Sequence, residues 1–134
     1  PAPALRPAVL VVDDVAANRR LVGALLQRAG FAHDEAEDAA TALRLAATRP
    51  YAAVLMDLEM PEVDGLEATR RLRALPGLAA SLPVIALTAH DSEAMRAATR
   101  EAGMDGFLVK PVQVAGLAEL IGRAAAARAA LARR

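Results

Sequence analysis

The sequence predicts an α/β fold in which a buried parallel sheet is covered by crossover helices. Short apolar runs rich in branched side chains are separated by longer amphipathic stretches, as expected for parallel strands connected by helices. Four of these runs end in a residue that can handle a phosphoryl group: Val9–Asp14, Ala53–Asp57, Pro83–Thr88 and Phe107–Lys110. Because parallel strands end at one edge of a sheet, three carboxylates, a hydroxyl and an ammonium are expected to meet there.

The stretches between these runs carry the periodicity of amphipathic helices. Helix 1 is predicted to end at Gly30, a second strand to span 31–36, and helix 2 to span 38–48. Helix 4 is predicted over 91–102, and helix 5 from near Val112. The predicted inward positions, in chain order, are Leu21, Val22, Leu25, Leu26, Ala29, Leu43, Ala46, Ala47, Ala68, Leu72, Leu75, Ala94, Met95, Ala98, Leu117, Leu120, Ile121 and Ala124.

Helix 3 is predicted to begin at Asp64, where a capping box is expected. The Asp64 carboxylate can cap the helix while Glu67, three positions on, reaches back to the cap amide. The basic clusters 70–73 and 133–134 are predicted to be solvated helix faces. His33 is predicted to be a surface residue.

Composition limits the possible classes of protein. With 134 residues, 55% of them hydrophobic, the chain fits one domain, predicted over 8–124. The Pro-rich residues 1–7 are predicted to be a linker and residues 125–134 a helical extension. A net charge of zero and 2% aromatic residues argue against direct contact with nucleic acid. The lack of cysteine, signal peptide and spanning apolar stretch predicts a cytoplasmic domain without membrane contact.

Three strand-end carboxylates, Asp13, Asp14 and Asp57, indicate a divalent cation site. Mg²⁺ prefers oxygen ligands and is usually held by one or two carboxylates together with a phosphate. Without a cation the three charges would repel one another. The sequence therefore predicts Mg²⁺ as cofactor, with Mn²⁺ as a substitute.

The same strand ends supply the other parts that phosphoryl transfer needs. Asp57 can be the nucleophile, since carboxylates form acyl phosphates. The metal, the Lys110 ammonium and the Thr88 hydroxyl would each take one oxygen of the transferred group. Any one of these residues has ordinary structural uses, but their joint occurrence on different strand ends indicates a single site.

Several motifs resemble those of the receiver domains of two-component response regulators. The resemblance covers about residues 7–124 and implies the flavodoxin-like receiver fold, a single (βα)5 domain with strand order 2-1-3-4-5. The motifs are Val11-Val12-Asp13-Asp14, Met56-Asp57-Leu58-Glu59-Met60-Pro61, Asp64-Gly65, Ala86-Leu87-Thr88-Ala89, and Ala102-Gly103-Met104-Asp105-Gly106-Phe107-Leu108-Val109-Lys110-Pro111.

The resemblance implies a role for each residue of the site. Asp57 would be the phosphoacceptor, Asp14 a direct metal ligand and Asp13 a direct or water-mediated one. The backbone carbonyl of Glu59 would complete the protein ligands, and Lys110 would pair with Asp57 or its phosphate.

A cis Lys110–Pro111 bond is also implied. Thr88 would move toward the phosphate, and Phe107 would swing inward behind it. This movement would reshape the face formed by helix 4, strand 5 and helix 5. The side chains of Glu59 and His90 flank the expected phosphate and are predicted to set its lifetime.

Residues 18–19, 66–70 and 102–106 resemble most closely the receivers of hybrid histidine kinases. The implied partners are a histidine kinase and a histidine-phosphotransfer domain, with a possible homodimer through helix 4, strand 5 and helix 5. Independent turnover is not expected beyond self-phosphorylation from phosphodonors and autodephosphorylation.

Two alternatives stay open at this point. An aspartate-nucleophile phosphatase shares the acyl phosphate chemistry, but such enzymes carry Asp-x-Asp after the first strand, and Val15 occupies the second Asp position here. A receiver-like interaction module without phosphorylation would use the same fold. Flavin binding is set aside, since the loop over 13–18 is acidic where a phosphate cradle should offer glycine or hydroxyl donors.

Overall fold

The computed structural model describes residues 8–132, which form five parallel strands alternating with five helices. The strand order is β2-β1-β3-β4-β5, which confirms the predicted doubly wound topology. The elements are β1 (Val9–Val12), α1 (Ala16–Arg28), β2 (His33–Ala36), α2 (Ala39–Thr48), β3 (Ala53–Asp57), α3 (Gly65–Arg73), a 3₁₀ turn (Gly77–Ser81), β4 (Val84–Thr88), α4 (Glu93–Ala102), β5 (Gly106–Val109) and α5 (Leu117–Ala132).

The three central strands separate two apolar layers. Every residue of β1, β3 and β4 is buried, because helices cover both faces of the sheet. Alternate side chains, such as Leu10 and Val54, pack with α2 and α3. Their neighbours Val9, Val11 and Leu55 pack with α1 and α5. This two-sided burial explains why the strands appear in the sequence as continuous apolar runs.

Side-chain caps fix where three helices begin. Asp38 accepts a hydrogen bond from the Thr41 amide at 2.8 Å, and Ser92 caps α4 in the same way. Asp64 accepts from the Glu67 amide at 2.9 Å, as predicted. The predicted return bond from the Glu67 side chain to the Asp64 amide was wrong. The Glu67 carboxylate instead forms ion pairs with arginines one turn later in α3.

The buried stripes of α3 and α5 match the prediction, but three other positions were wrong. Leu21 is 56% exposed because the buried stripe of α1 follows Val22, Gly23 and Leu26, which lie about 100–160° away around the helix. Ala47 and Ala94 are also exposed. Besides the predicted Ala46, α2 buries Ala39 and Ala42, and α4 buries Thr99 and Ala102.

Helix α5 begins five residues later than predicted, at Leu117 and not near Val112. Gly116 has φ +78°, a left-handed conformation outside the helical region, so the helical residues begin after it, while its carbonyl accepts a hydrogen bond from the Leu120 amide at 2.9 Å. The helix then continues to Ala132. The predicted linker over 1–7 and the basic pair 133–134 lie outside the described residues. Within residues 8–132, no helix is long and apolar enough to cross a bilayer.

Two polar side chains predicted to lie on the surface are mostly buried. The Arg73 guanidinium turns away from solvent to the Asp105 carboxylate, 2.9 Å away, and to the Gly103 carbonyl. His33 lies against Gly23, whose missing Cβ leaves room for the imidazole ring, and pairs with Glu35 at 3.1 Å. Helical and strand periodicity did not reveal either position, because Arg73 is buried by residues 30 or more positions away and His33 by its packing against Gly23 of α1.

Candidate functional site

The sheet register brings the predicted site residues to one edge. Val12 is paired with Met56, so Asp13 and Asp57 follow on adjacent strands. Asp57 is paired with Leu87, which places Thr88 one residue further along β4. The Lys110 amide donates to the Thr88 carbonyl at 2.8 Å, which places Lys110 beside the same edge.

Asp13, Asp14 and Asp57 form a compact carboxylate cluster. One oxygen from each lies within 4.8 Å of the others. Asp13 and Asp57 are 1% and 3% exposed, whereas Asp14 faces solvent. An all-oxygen donor set with one open side fits Mg²⁺, which keeps several waters when protein-bound. Nitrogen and sulfur ligands are absent from this cluster, which disfavours a softer metal.

Local backbone hydrogen bonds orient the two buried carboxylates. The Val15 amide donates to Oδ1 of Asp13 at 2.9 Å, and the Glu59 amide donates to Oδ1 of Asp57 at 3.1 Å. A further restraint comes from Arg19, whose guanidinium donates to the Asp13 carbonyl at 2.7 Å while pairing with Glu35. The chain around Asp13 is therefore held from both α1 and β2.

Gly65 allows α3 to begin directly against the site. A Cβ at this position would overlap the backbone carbonyl of Asp57. The Gly65 amide also lies 3.3 Å from the Leu58 carbonyl. Glycine is thus required where the start of α3 approaches the backbone of Asp57 and Leu58.

Among residues 8–132, Lys110 is the one cation whose side chain contacts the carboxylates of the cluster. Its ammonium lies 3.4 Å from Oδ2 of Asp13 and 3.4 Å from Oδ1 of Asp57. The Lys110–Pro111 peptide bond is cis, as expected. Lys110 is the only lysine among the 16 Lys and Arg residues of the chain. A compact ammonium can approach two carboxylates as a point charge, whereas a planar guanidinium needs a fork-shaped space.

The excess of negative charge perturbs the ionisation of the site. Burial raises the pKa of Asp57, repulsion from Asp13 adds to the rise, and the Glu59 amide and Lys110 oppose it. Burial alone would lower the pKa of Lys110, but attraction to Asp57 and Asp13 outweighs burial and raises it. One ammonium therefore does not neutralise the carboxylates, and an added cation would be attracted.

Comparison with known proteins agrees with this geometry. Residues 9–122 match the model of the response regulator receiver domain family. The chain belongs to the response regulator receiver domain family. It is therefore a receiver domain of two-component signalling, in which receivers act as phosphoacceptors.

Curated relatives of this receiver domain are longer proteins. It is 42% identical over 103 residues to the transcriptional regulatory protein ResD of Bacillus subtilis, covering 77% of this chain and 41% of ResD. It is 35% identical over 117 residues to the sensor histidine kinase GacS of Pseudomonas protegens, covering 86% of this chain and 13% of GacS. The receiver thus spans less than half of these relatives, which include a sensor kinase, as the sequence motifs indicated.

Solved structures agree with the fold. The receiver domain of the sensor histidine kinase PA1611 from Pseudomonas aeruginosa has a TM-score of 0.80 at 33% identity, covering 90% of this chain and 98% of that one. That structure holds a magnesium ion in its active-site cleft. The chemotaxis protein CheY4 of Vibrio cholerae has a TM-score of 0.81 at 28% identity, covering 89% of this chain and 98% of that one.

The predicted switch residues of this receiver have identifiable contacts. The Thr88 hydroxyl is buried, accepts from the His90 amide at 3.1 Å and donates to the His90 carbonyl at 3.2 Å. Phe107 is partly buried, and the Arg96 guanidinium lies 4.4 Å from its ring centroid. The side chains of Glu59 and His90 are exposed beside the site.

An apolar rim of exposed side chains lies beside the site residues, since Val15 follows Asp14, Val109 precedes Lys110 and Leu21 lines a pocket with Lys110. Val15 is 47% exposed and Leu21 56%, and Val109 is also exposed at the end of β5. A pocket beside Lys110 is lined by Leu21 and Pro111, among others. The sequence did not reveal this rim, nor the supporting roles of Arg19 and Gly65, because each depends on neighbours from another element.

Proposed function

We propose that Asp57 accepts a phosphoryl group from a phosphohistidine in a reaction that requires Mg²⁺. The observation that carries the proposal is the cluster of Asp13, Asp14 and Asp57 within 4.8 Å, bridged by a single ammonium. Three carboxylates that share one ammonium, with Asp14 facing solvent, favour a bound divalent cation over a structural ion pair.

The proposed transfer uses Oδ2 of Asp57 as nucleophile. Oδ1 already accepts from the Glu59 amide and faces Lys110. Oδ2 of Asp57 has no hydrogen bond. Every fully buried side-chain oxygen within residues 8–132 has one, so Oδ2 must retain some contact with solvent. Its attack forms the O–P bond as the P–N bond breaks. The P–N electron pair returns to the imidazole nitrogen, which takes a proton from solvent or the partner.

Asp13, Asp14, Asp57 and the Glu59 carbonyl are proposed to hold the metal. Bound Mg²⁺ would neutralise charge that develops on the phosphoryl oxygens. Mn²⁺ is proposed to substitute, since it takes similar oxygen ligands. The Lys110 ammonium and the Thr88 hydroxyl would bind the remaining oxygens, so Thr88 must give up its bonds to His90.

The apolar rim of Val15, Leu21 and Val109 is proposed to dock the phosphodonor. Only a partner seated over this opening can bring a histidine to a carboxylate that is 3% exposed. A histidine kinase and a histidine-phosphotransfer domain both meet this requirement. The receiver would sit in the cytoplasm, with residues 1–7 as linker and 125–134 as a helical extension of the 8–124 domain.

Two further features are proposed to follow from phosphorylation. Withdrawal of Thr88 would open space for Phe107 to bury its ring, changing the face of α4, β5 and α5. Phe107→Ala should then uncouple phosphorylation from partner binding, and unchanged coupling would remove Phe107 from the mechanism. Glu59 and His90 would set the phosphoryl lifetime, so Glu59→Ala and His90→Ala should change the dephosphorylation rate.

Intact mass after incubation with Mg²⁺ and acetyl phosphate tests the central proposal. The parent chain should gain one phosphoryl group, and Asp57→Asn should gain none. Omitting Mg²⁺ should prevent the gain in the parent. No gain in either chain would favour a receiver-like interaction module, and turnover of phosphomonoesters would favour the phosphatase alternative.

A further inference from the structure

The two neighbouring acids after β1 must leave the extended conformation to share one cation. Successive side chains of a strand point to opposite faces of the sheet. Asp13 and Asp14 nevertheless each place an oxygen in the same cluster, because the chain bends at Asp14. The peptide that joins them is planar, so a group that holds the Asp13 carbonyl also sets the direction in which Asp14 leaves the strand.

Arg19 holds this carbonyl from the first turn of α1. Its Nη1 donates to the Asp13 carbonyl oxygen at 2.7 Å, while the Asp13 amide donates to the Ala36 carbonyl at 3.1 Å. Helix α1 follows Val15, whose side chain cannot accept a hydrogen bond, whereas α2, α3 and α4 begin with side-chain caps. The Arg19 contact therefore takes the place of a cap in joining the start of α1 to the end of β1.

Glu35 of the edge strand β2 fixes the Arg19 guanidinium. Its Oε1 accepts from Nε of Arg19 at 3.1 Å, so the two hydrogen bonds of Arg19 use different nitrogens of one planar group. The second oxygen of Glu35 lies 3.1 Å from Nε2 of His33, which fills the space beside Gly23. A continuous chain of contacts thus leads from the edge strand to Asp13.

We infer that Arg19 is a positioning residue for the divalent cation of the acidic site. The inference rests on the cation site proposed above and concerns the residues that hold its ligands. Arg19 acts through the backbone, since its hydrogen bonds go to the Asp13 carbonyl and to Glu35. A fixed peptide keeps the carboxylates of Asp13 and Asp14 directed to one point before the cation binds, so less freedom is lost on binding.

Charge alone predicts the opposite effect for Arg19. A guanidinium near a divalent cation repels it, so removal of Arg19 would strengthen cation binding if charge decided the affinity. Removal of Glu35 would weaken binding for the same reason. Positioning instead predicts weaker binding after either change, because both residues hold the same carbonyl in place. The sign of the Arg19 effect therefore separates positioning from charge.

Amide NMR signals of Val15 and Glu59 measure cation binding without a phosphodonor. The Val15 amide donates to the Asp13 carboxylate and the Glu59 amide to that of Asp57. Both chemical shifts should therefore change as Mg²⁺ occupies the site. The full chain is titrated with Mg²⁺, and the Kd is obtained from the two signals.

Four variants test the positioning role. We expect the Kd for Mg²⁺ to rise about tenfold in Arg19→Gln and by less in Glu35→Gln. The double variant should bind no more weakly than Arg19→Gln, because the second change removes a contact that is already lost. Arg20→Gln removes an exposed arginine from the same turn of α1 and is the matched control, which should bind as the parent does.

A Kd in Arg19→Gln at or below the parental value would overturn the inference, as would an equal rise in Arg20→Gln. Absence of Mg²⁺-dependent shifts in the parent would remove the cation site together with the inference, whereas a parental Kd in Arg19→Gln removes only the positioning role. Circular dichroism of each variant checks the fold. If Arg19→Gln does not fold, Arg19→Lys decides: it keeps the charge but cannot reach both partners, so a parental Kd there would also overturn the inference.

Discussion

Asp57 and Asp105 are both nearly buried acids, but they lie at opposite edges of the sheet and meet opposite charge surroundings. Asp57 ends β3 beside two other carboxylates and shares one ammonium with Asp13. Asp105 immediately precedes β5 and accepts from two guanidiniums, those of Arg73 and Arg128. Its Oδ2 also accepts from the Val84 amide, which ties it to the start of β4.

The carboxylates around Asp57 can attract a cation, whereas Asp105 connects α3, β4 and α5 through its hydrogen bonds to Arg73, Val84 and Arg128. Around Asp57 the acids outnumber the cation, which leaves a negative field that attracts a divalent cation. Around Asp105 the excess is positive, but carbonyls of Gly103 and Ala80 take the surplus N–H groups of the arginines. Burial, and repulsion from Arg128, lower the pKa of Arg73 to about 10, while Asp105 opposes this shift.

The largest effect is expected where the single ammonium of the acid cluster is removed. Lys110→Ala should slow phosphorylation of Asp57 by about a hundredfold or more, because one charge partner of the phosphoryl oxygens is lost. Lys110→Arg keeps the charge but not the compact shape and should also be slow. The rate is followed by intact mass with acetyl phosphate. A Lys110→Arg rate equal to the parent would reduce the role of Lys110 to charge alone.

The second prediction concerns Asp105 and the two arginines that pair with it. Asp105→Asn should lower the free energy of unfolding by about 3 kcal/mol, because two mostly buried guanidiniums lose their shared counter-charge. Urea denaturation measures the change. Asp91→Asn, which removes an exposed acid paired with Arg96, serves as the control and should change little. Equal stability of the two variants would contradict the structural role given to Asp105.

A smaller loss of stability is expected when Arg128, the α5 partner of Asp105, is replaced. Arg128→Ala should lower the free energy of unfolding by about 1–2 kcal/mol, since it removes charged hydrogen bonds to Asp105 and Gly103. Hydrogen exchange should then speed up over 125–132. Arg123→Ala, on the same helix but exposed and without an ion pair to residues 8–132, is the control. Unchanged exchange in Arg128→Ala would show that the extension does not depend on this contact.

The smallest predicted effect is a gain of stability at the acid cluster. A carboxyl whose folded pKa is raised above its ordinary 3.8 favours folding while protonated, and this contribution is lost as pH rises through the raised pKa. Asp57→Asn, which cannot ionise, should therefore melt higher than the parent in EDTA, by an amount that grows from pH 4 toward neutrality. Mg²⁺ should reduce the difference. A difference that does not vary with pH would mean that charge repulsion is not its source.

Sequence patterns predicted the central strands and the acidic edge of the sheet because both depend on local order. Continuous apolar runs require burial on two faces, and a parallel sheet then brings the ends of β1, β3 and β4 together. Predictions of the buried helix faces were less accurate at the margins of each face. Leu21 and Ala94 are exposed, because the width of a buried stripe depends on the neighbouring elements. The predicted start of α5 was wrong because Gly116, in a left-handed conformation, directly precedes the helix.

The sequence by itself determined the fold class, the order of the elements and the identity of the residues at the acidic edge. These follow from hydrophobic period and from motif spacing, which are local properties of the chain. Only the tertiary structure decided that Arg73 is buried against Asp105 and that Arg19, paired with Glu35, supports Asp13. Each of these depends on side chains from distant elements meeting at a few ångströms, and no periodicity in one segment encodes its partner in another.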